Sequence, residues 1–517
     1  MTAILRNESA SLPEAEPGQP ETATMALAVV RALLDRLHGQ KLQYCHWKSN
    51  EHVAAAVQGL TDLDVLVENG RSDDLQRSLA ESGFRRFQAT ALTAYPAVED
   101  YLGFDEATGR IVHLHLHHRL TLGQKHLKGY RLPWEDEVLA SSRLDPQNGI
   151  FTSAPEMELL LHLVRDALKL RLRSRLALWL GRASTQGDFA REFAFLVERV
   201  DVEAVVALAL RLIGPACEAS LRRILQDGIT SRDRLAFAAA VRPALSRYRT
   251  YGAVTASVLM ALREMFWTLG GISRRKFHWA LPMRRVSPRG GAVVVFLGSD
   301  GAGKSTASAD AITWLGQKLD VVPIYFGSGD GPSSFLRKPL QIARFILNKG
   351  SANPTGPREP RRTWRGGFKG FALVLWALAL SIEKRGKLRR MIRARNRGLI
   401  VVCDRFAQNQ TDGFNDGKLL GLLAKSPSRF VRSLAAFEAR PYQDALLDPP
   451  DLVIKLIASP GMALARRPDM TQAEIERRIA TVRALIFPAH TRVAEIDADQ
   501  PLDEVLRAVH RLVWKVL

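Results

Sequence analysis

Cysteine is scarce in this chain. The 517 residues contain three, Cys45, Cys217 and Cys403, in a spacing that suits neither a disulfide framework nor a metal-binding set, so a reduced, cytoplasmic setting is expected. Long apolar runs are missing as well. The unbroken stretch over 371–382, FALVLWALALSI, falls well short of the ~20 residues a helix needs to cross a bilayer. A buried core helix is expected there, with a membrane-surface segment as the alternative. Residues 1–24, with Glu14, Pro17, Gly18, Pro20 and Glu21 among Ser, Thr and Ala, lack the apolar run of a signal peptide and read as a disordered tail. Acidic residues are nearly absent from one block: over 361–397 twelve Lys or Arg face the single acid Glu383. More than half of the formal charge of +20 therefore sits in that block. It suits an anionic membrane surface or a polyanion as partner, or else a solvated helix face; no specific nucleic acid is expected.

What is present is the composition of a soluble globular protein, 46% hydrophobic and 24% charged, in a chain long enough for two or three domains. Residues 25–150 mix helical and strand patterns, as α+β domains do. VVRALLDRL reads as an amphipathic helix, and 63–67 and 111–120 read as strands. Residues 151–270 read as helical throughout, with Leu159, Leu160, Leu163 and Ala167 at the spacing of a buried face. A connector over 271–289, rich in Arg with Pro282 and Pro288, marks a linker. From 290 to 517 short apolar runs alternate with helical segments. VVVFL (293–297), VVPIY (321–325), LIVVC (399–403) and LVIKLI (452–457) predict a parallel sheet with helical crossovers, an α/β domain.

Residues 298–306 read GSDGAGKST and fill every fixed position of the GxxxxGK[ST] pattern, between a buried-type strand and a helix predicted from Ser305 to about Leu319. Gly298, Gly301 and Gly303 let the backbone bend so that N–H groups face phosphates, with Ser299, Asp300 and Ala302 completing the loop. Lys304 suits the β and γ phosphates, Ser305 suits magnesium, and Thr306 offers one more phosphate contact. These residues predict ATP and magnesium as cofactors. Asp404 and Arg405 close the strand over 399–403, where ligands gather in open α/β sheets. The carboxylate suits a magnesium-bound water and the guanidinium a phosphate. Ser459 and Pro460 read as the start of a helix ending in Arg466 and Arg467, where an arginine could cover a transferring phosphoryl group or lie in solvent.

With those residues in view, 290–517 resembles the thymidylate kinase family of P-loop kinases. FLGSDGAGKST looks like the family's strand and loop, LIVVCDRF like its Asp-Arg motif, and PDLVIKLIASPGMALARR like the strand and helix leading to its lid. The resemblance implies transfer of the ATP γ-phosphoryl group to a phosphorylated small-molecule acceptor, with Asp300, Lys304, Ser305, Asp404, Arg405 and Arg466 in the catalytic positions. It departs from the family on the acceptor side. FGSGDGPSS from Phe326 stands where the family has Arg-Glu-Pro-Gly-Gly-Thr, and the triplet Arg358-Glu359-Pro360 lies too far along to replace it. FAQNQTDGFNDG after Arg405 replaces a Ser and Ala-Tyr-Gln pattern. Thymidylate is therefore not expected as the acceptor. Large proteins of this type with a long basic insert also resemble chains linked with surface polysaccharide synthesis. That likeness leaves a second reading open, a nucleotide-binding regulatory or assembly protein. A homodimer is compatible with either.

The N-terminal block more distantly resembles the nucleotidyltransferases of the DNA polymerase beta superfamily. TDLDVLV puts Asp62 and Asp64 on one side of a strand, and WKSN stands where the superfamily has Gly-Ser. The third carboxylate implied by the resemblance falls at His115, in HLHLHHRL. His113, His115 and His117 share one strand face, a polar cleft or a transition-metal site. With one hard oxygen ligand replaced by nitrogen, magnesium-dependent nucleotidyl transfer is expected to be absent.

Overall fold

The computed structural model describes residues 26–91, 93–124, 126–179, 187–276, 279–327, 365–412 and 416–517. The expected tail, most of the FGSGDGPSS segment, the Arg358-Glu359-Pro360 triplet and positions 361–364 of the basic block lie outside the described residues. The fold is mixed α/β.

The first sheet is built from β1 (Tyr44–His46), β2 (Leu63–Val67), β3 (Arg85–Ala89), β4 (Val98–Phe104) and β5 (Ile111–His117). The short hairpin of β6 (Leu120–Leu122) and β7 (Tyr130–Leu132) follows, and then β8 (Arg143–Asp145) and β9 (Ile150–Thr152). A last strand, β10 (Arg285–Val286), comes from far along the chain and gives eight strands in the order β10-β3-β4-β5-β2-β1-β9-β8. Alternation sets which way each strand faces. Val65, Val67, Leu114 and Leu116 go to a core under the helix Ala28–Gly39, whose Val30, Leu33, Leu34 and Leu37 repeat at helical spacing. The helical region follows, and its Leu159, Leu160, Leu163 and Ala167 are buried as the pattern predicts.

The stretch 271–289 is not a free linker. The helix Ala253–Lys276 runs into it, and β10 pairs antiparallel with β3 at Arg285↔Ala89 and Val286↔Gln88. Pairing satisfies the open edge of β3, which is the physical reason a connector becomes a strand here. Asp320 anchors the turn before it, accepting the backbone N–H groups of Met283 (2.7 Å) and Arg284 (2.6 Å) and pairing with Arg274.

The second sheet contains β11 (Val293–Gly298), β12 (Val321–Tyr325), β13 (Ile400–Asp404), β14 (Leu452–Ile457) and β15 (Arg492–Asp497), all parallel in the order β12-β13-β11-β14-β15. Near-continuous Val, Ile and Leu suit strands covered on both faces. The edge strand β15, RVAEID, is half polar and carries no such signal. One core runs through both sheets: Phe87, Leu102, Phe104 and Ile111 of the first share it with Trp314 and Trp514, on the helices Lys304–Gly316 and Leu502–Val516 that flank the second.

The 371–382 run departs from expectation. It lies within the helix Arg365–Asn396, with Ala377 and Leu380 buried but Phe371, Leu373, Leu375 and Ile382 each at least 40% exposed. It packs on the helix Arg429–Leu447 and the turn around Leu419, Leu420 and Leu423 through a small cluster, which leaves part of an all-apolar run uncovered. No helix among the described residues is long and apolar enough to cross a membrane.

Candidate functional site

The glycine-rich loop leaves the end of β11 at the centre of the parallel sheet and enters the helix Lys304–Gly316. Gly301 (φ +83°) and Gly303 (φ +80°) adopt the left-handed conformation that L side chains resist, and a Cβ on Gly301 would meet the Ala463 carbonyl oxygen at 3.0 Å. The helix begins one residue earlier than its pattern suggests, so Lys304 and Ser305 are its first two residues, where N–H groups and the dipole favour anions. Lys304 is buried and donates to the Ser299 carbonyl oxygen at 2.5 Å. Burial first, and the Arg405 guanidinium second, push its ammonium down to about 8.

Parallel pairing of β11 with β13 aligns Phe296 with Asp404, which brings the Asp404 carboxylate to the loop. The Ser305 hydroxyl donates to Asp404 Oδ2 at 2.8 Å, while Asp404 Oδ1 is buried with no hydrogen-bond partner among the described residues. A hydroxyl and a carboxylate with one oxygen left over form a hard, all-oxygen donor pair, which fits magnesium and does not suit a softer metal. Arg405 sits at φ +68°, a strained conformation for arginine, held by its N–H on the Phe296 carbonyl oxygen (3.0 Å). Its guanidinium reaches Asp300 (3.4 Å) and Asp416 (3.6 Å). Burial opposes ionisation of Asp300, but Lys304, Arg405 and Arg478 together hold its carboxyl below the ordinary value.

Ser459 caps the helix Pro460–Arg466, its Oγ accepting from the Met462 N–H at 3.3 Å. Arg466, though exposed, then donates to the Gly301 carbonyl oxygen at 2.9 Å, so this arginine meets the loop. Arg467 pairs with Asp469 at 2.8 Å. Two residues escaped sequence reasoning. Arg478, on the helix Gln472–Ala484, pairs with Asp300, and Asp416 pairs with Arg405. Their separation in sequence from the motif residues left no local pattern to find them by.

The N-terminal acidic pair lies in a second cluster. Asp62 and Asp64 face β5, where His113 bridges Asp62 (2.9 Å) and Asp100 (2.8 Å), and His115 and His117 each contact Asp64 at 3.2 Å. His115 does occupy the position opposite Asp64, but a third carboxylate is present: Asp100 on β4, opposite His115 on its other side. Only the pairing of β4 with β5 reveals it. Asp62, His113 and His115 are close enough to share a cation. Each carboxylate already has one from the protein, Lys318 on Asp62 (2.6 Å), Lys48 on Asp64 (2.8 Å) and Arg285 on Asp100 (2.7 Å). Burial alone would lower His115, but hydrogen bonds to Asp100 and Asp64 push it up. The donor set therefore does not fit the two magnesium ions of nucleotidyl transfer.

No protein-family model matches the chain. It is similar to the uncharacterized ATP-binding protein YghR of Escherichia coli K12, with 28% identity over 227 residues, 43% of this chain and 86% of that protein. It is also similar to the uncharacterized ATP-binding protein YghS of the same strain, with 27% identity over 231 residues, 44% of this chain and 93% of that protein.

Proposed function

We propose that the loop at Gly298–Thr306 binds ATP with magnesium and that the domain from about 290 to 517 transfers the γ-phosphoryl group to a phosphorylated small-molecule acceptor, as a kinase of the thymidylate kinase type. The observation that carries this reading is the Ser305–Asp404 pair at 2.8 Å beside the buried Lys304, under a loop that Arg466 also reaches. Similarity to two proteins named for ATP binding supports the nucleotide. Loop N–H groups and Lys304 would hold the β and γ phosphates, Arg405 the acceptor phosphate, and Arg466 the transferring group. Bound magnesium would supply Lewis-acid stabilisation of the phosphates, with Ser305 and Asp404 holding it.

The acceptor is not thymidylate in this reading, because the family's Arg-Glu-Pro-Gly-Gly-Thr segment has no counterpart in the sequence. A panel of phosphorylated acceptors added to the full chain with ATP and magnesium tests both parts. ADP release that rises on adding one acceptor other than thymidine monophosphate supports the proposal; slow hydrolysis indifferent to every acceptor contradicts it. The exposed Phe371, Leu373, Leu375 and Ile382, on the helix that carries most of the basic block, favour a second reading, a nucleotide switch that docks on an anionic surface. Stimulation of hydrolysis by anionic vesicles in place of an acceptor would select it.

A further inference from the structure

The acidic cluster on β2, β4 and β5 forms one wall of a cleft of about 470 Å³, within the usual range for small-molecule sites. Its other walls come from the helical region (Arg165, Trp267), from the segment just before the parallel sheet (Arg284, Arg285) and from the end of the helix Lys304–Gly316 (Gln317). Charge there is unbalanced. Lys48, Lys128, Arg165, Arg284 and Arg285 face only two lining carboxylates, Asp64 and Asp100, both already paired with Lys48 and Arg285, while Arg165 leans on Glu192 at 3.5 Å. Lys128 has no acid within ion-pair reach among the described residues. It lies over the Tyr95 ring at 5.2 Å. Burial first, then Lys48, Lys169 and Arg165, push its ammonium down to about 7.

A second observation points the same way. Trp47 Nε1, Trp267 Nε1, Thr121 Oγ1 and His117 Nδ1 belong to residues lining this cleft, and each is a buried polar atom with no hydrogen-bond partner among the described residues. Buried polar groups rarely go unpaired, because an unmade hydrogen bond leaves the cost of desolvation uncompensated. With Arg165 Nη1 there are five around one cleft, four of them able to donate through N–H or O–H, and together with the surplus cations they mark a place for an anion that accepts several hydrogen bonds.

We propose that this cleft binds a small organic phosphomonoester, its phosphate held by Lys128, Arg165 and neighbouring donors without a metal ion, and its ring placed against the Trp267 indole. Lys318, Lys48 and Arg285 take the charge-neutralising place on the three carboxylates that metal ions would otherwise fill, so the site binds and does not transfer nucleotidyl groups. Phosphate is the class that matches: it is dianionic near neutral pH, accepts from several donors at once, and leaves room in the cleft for a sugar or base.

The proposal stands apart from the kinase reading, and its test removes the glycine-rich loop from the result. The full chain with Lys304→Ala is titrated calorimetrically, in EDTA, with adenosine 5′-monophosphate, ribose 5-phosphate and inorganic phosphate. Saturable binding of at least one ester, tighter than inorganic phosphate, is expected. Adding Lys128→Gln should weaken it at least tenfold, whereas Lys128→Arg should keep it within about threefold; thermal unfolding of each variant checks that the fold is intact. Absence of ester binding, or ester binding that survives Lys128→Gln, overturns the proposal.

Discussion

At the scale of single residues, the chemistry rests on a few side chains whose charge is set by burial. Lys304 is the clearest. Its ammonium lies at about 8 in the free protein, because burial and Arg405 disfavour the charge. Triphosphate needs that charge. As pH rises through about 8 the free protein loses the proton that the complex must hold, so ATP affinity is expected to be level below pH 8 and to fall above it, with proton uptake on binding. Calorimetry at pH 9 in buffers of different ionisation enthalpy reads the uptake directly, and the Lys304→Ala variant should show none. Asp404→Asn keeps the shape but removes the charge that faces Ser305. It should raise the magnesium concentration needed for half-maximal turnover by about 10–100-fold, measured by a magnesium titration at saturating ATP. In the N-terminal cluster, Asp62→Asn with Asp64→Asn should leave phosphotransfer within about threefold, since these carboxylates serve Lys318, Lys48 and the histidines and not the loop.

At the scale of elements, the helix Lys304–Gly316 links the two sheets. Its first turn belongs to the glycine-rich loop, and near its last turn Trp314 enters the shared core, stacking on His510 at 4.0 Å and donating Nε1–H to the Gly109 carbonyl oxygen at 3.0 Å. Trp314→Ala removes a buried aromatic and its hydrogen bond, so a loss of about 3–5 kcal/mol is expected, while Trp314→Phe should recover most of it. Denaturant unfolding of the two variants distinguishes packing from the hydrogen bond. The elements also show how far the sequence could be read. The strands β11 to β14 were legible because strands covered on both faces must be apolar throughout, and the loop was legible because its chemistry is local. Strand β15 was not, since a half-polar edge strand looks like a loop. Strand β10 was hidden because only the distant edge of β3 makes a strand of Arg285–Val286. Asp100 was missed for the same reason: its partner His113 is 13 residues away across a strand pair that no spacing rule encodes.

At the scale of the whole molecule, the two sheets do not behave as beads on a string. Phe104 packs on Trp314 and Trp514, with ring centroids 5.9 and 5.6 Å apart, and one apolar cluster spans both sheets. Unfolding either sheet would expose the other's core. A single calorimetric transition is therefore expected for these two parts, and a nucleotide that binds the loop should raise the whole transition; two separated transitions, with only one shifted, would show that the shared core is too weak to couple them. The central claim, phosphoryl transfer at the glycine-rich loop, meets its most direct test in the steady-state rate of acceptor-dependent ADP release by the full chain, compared with Lys304→Ala at equal folded concentration. The account predicts a loss of ~10²- to 10³-fold, the usual scale for removing a preorganised charge from a transition state. Equal rates in the two proteins would contradict it.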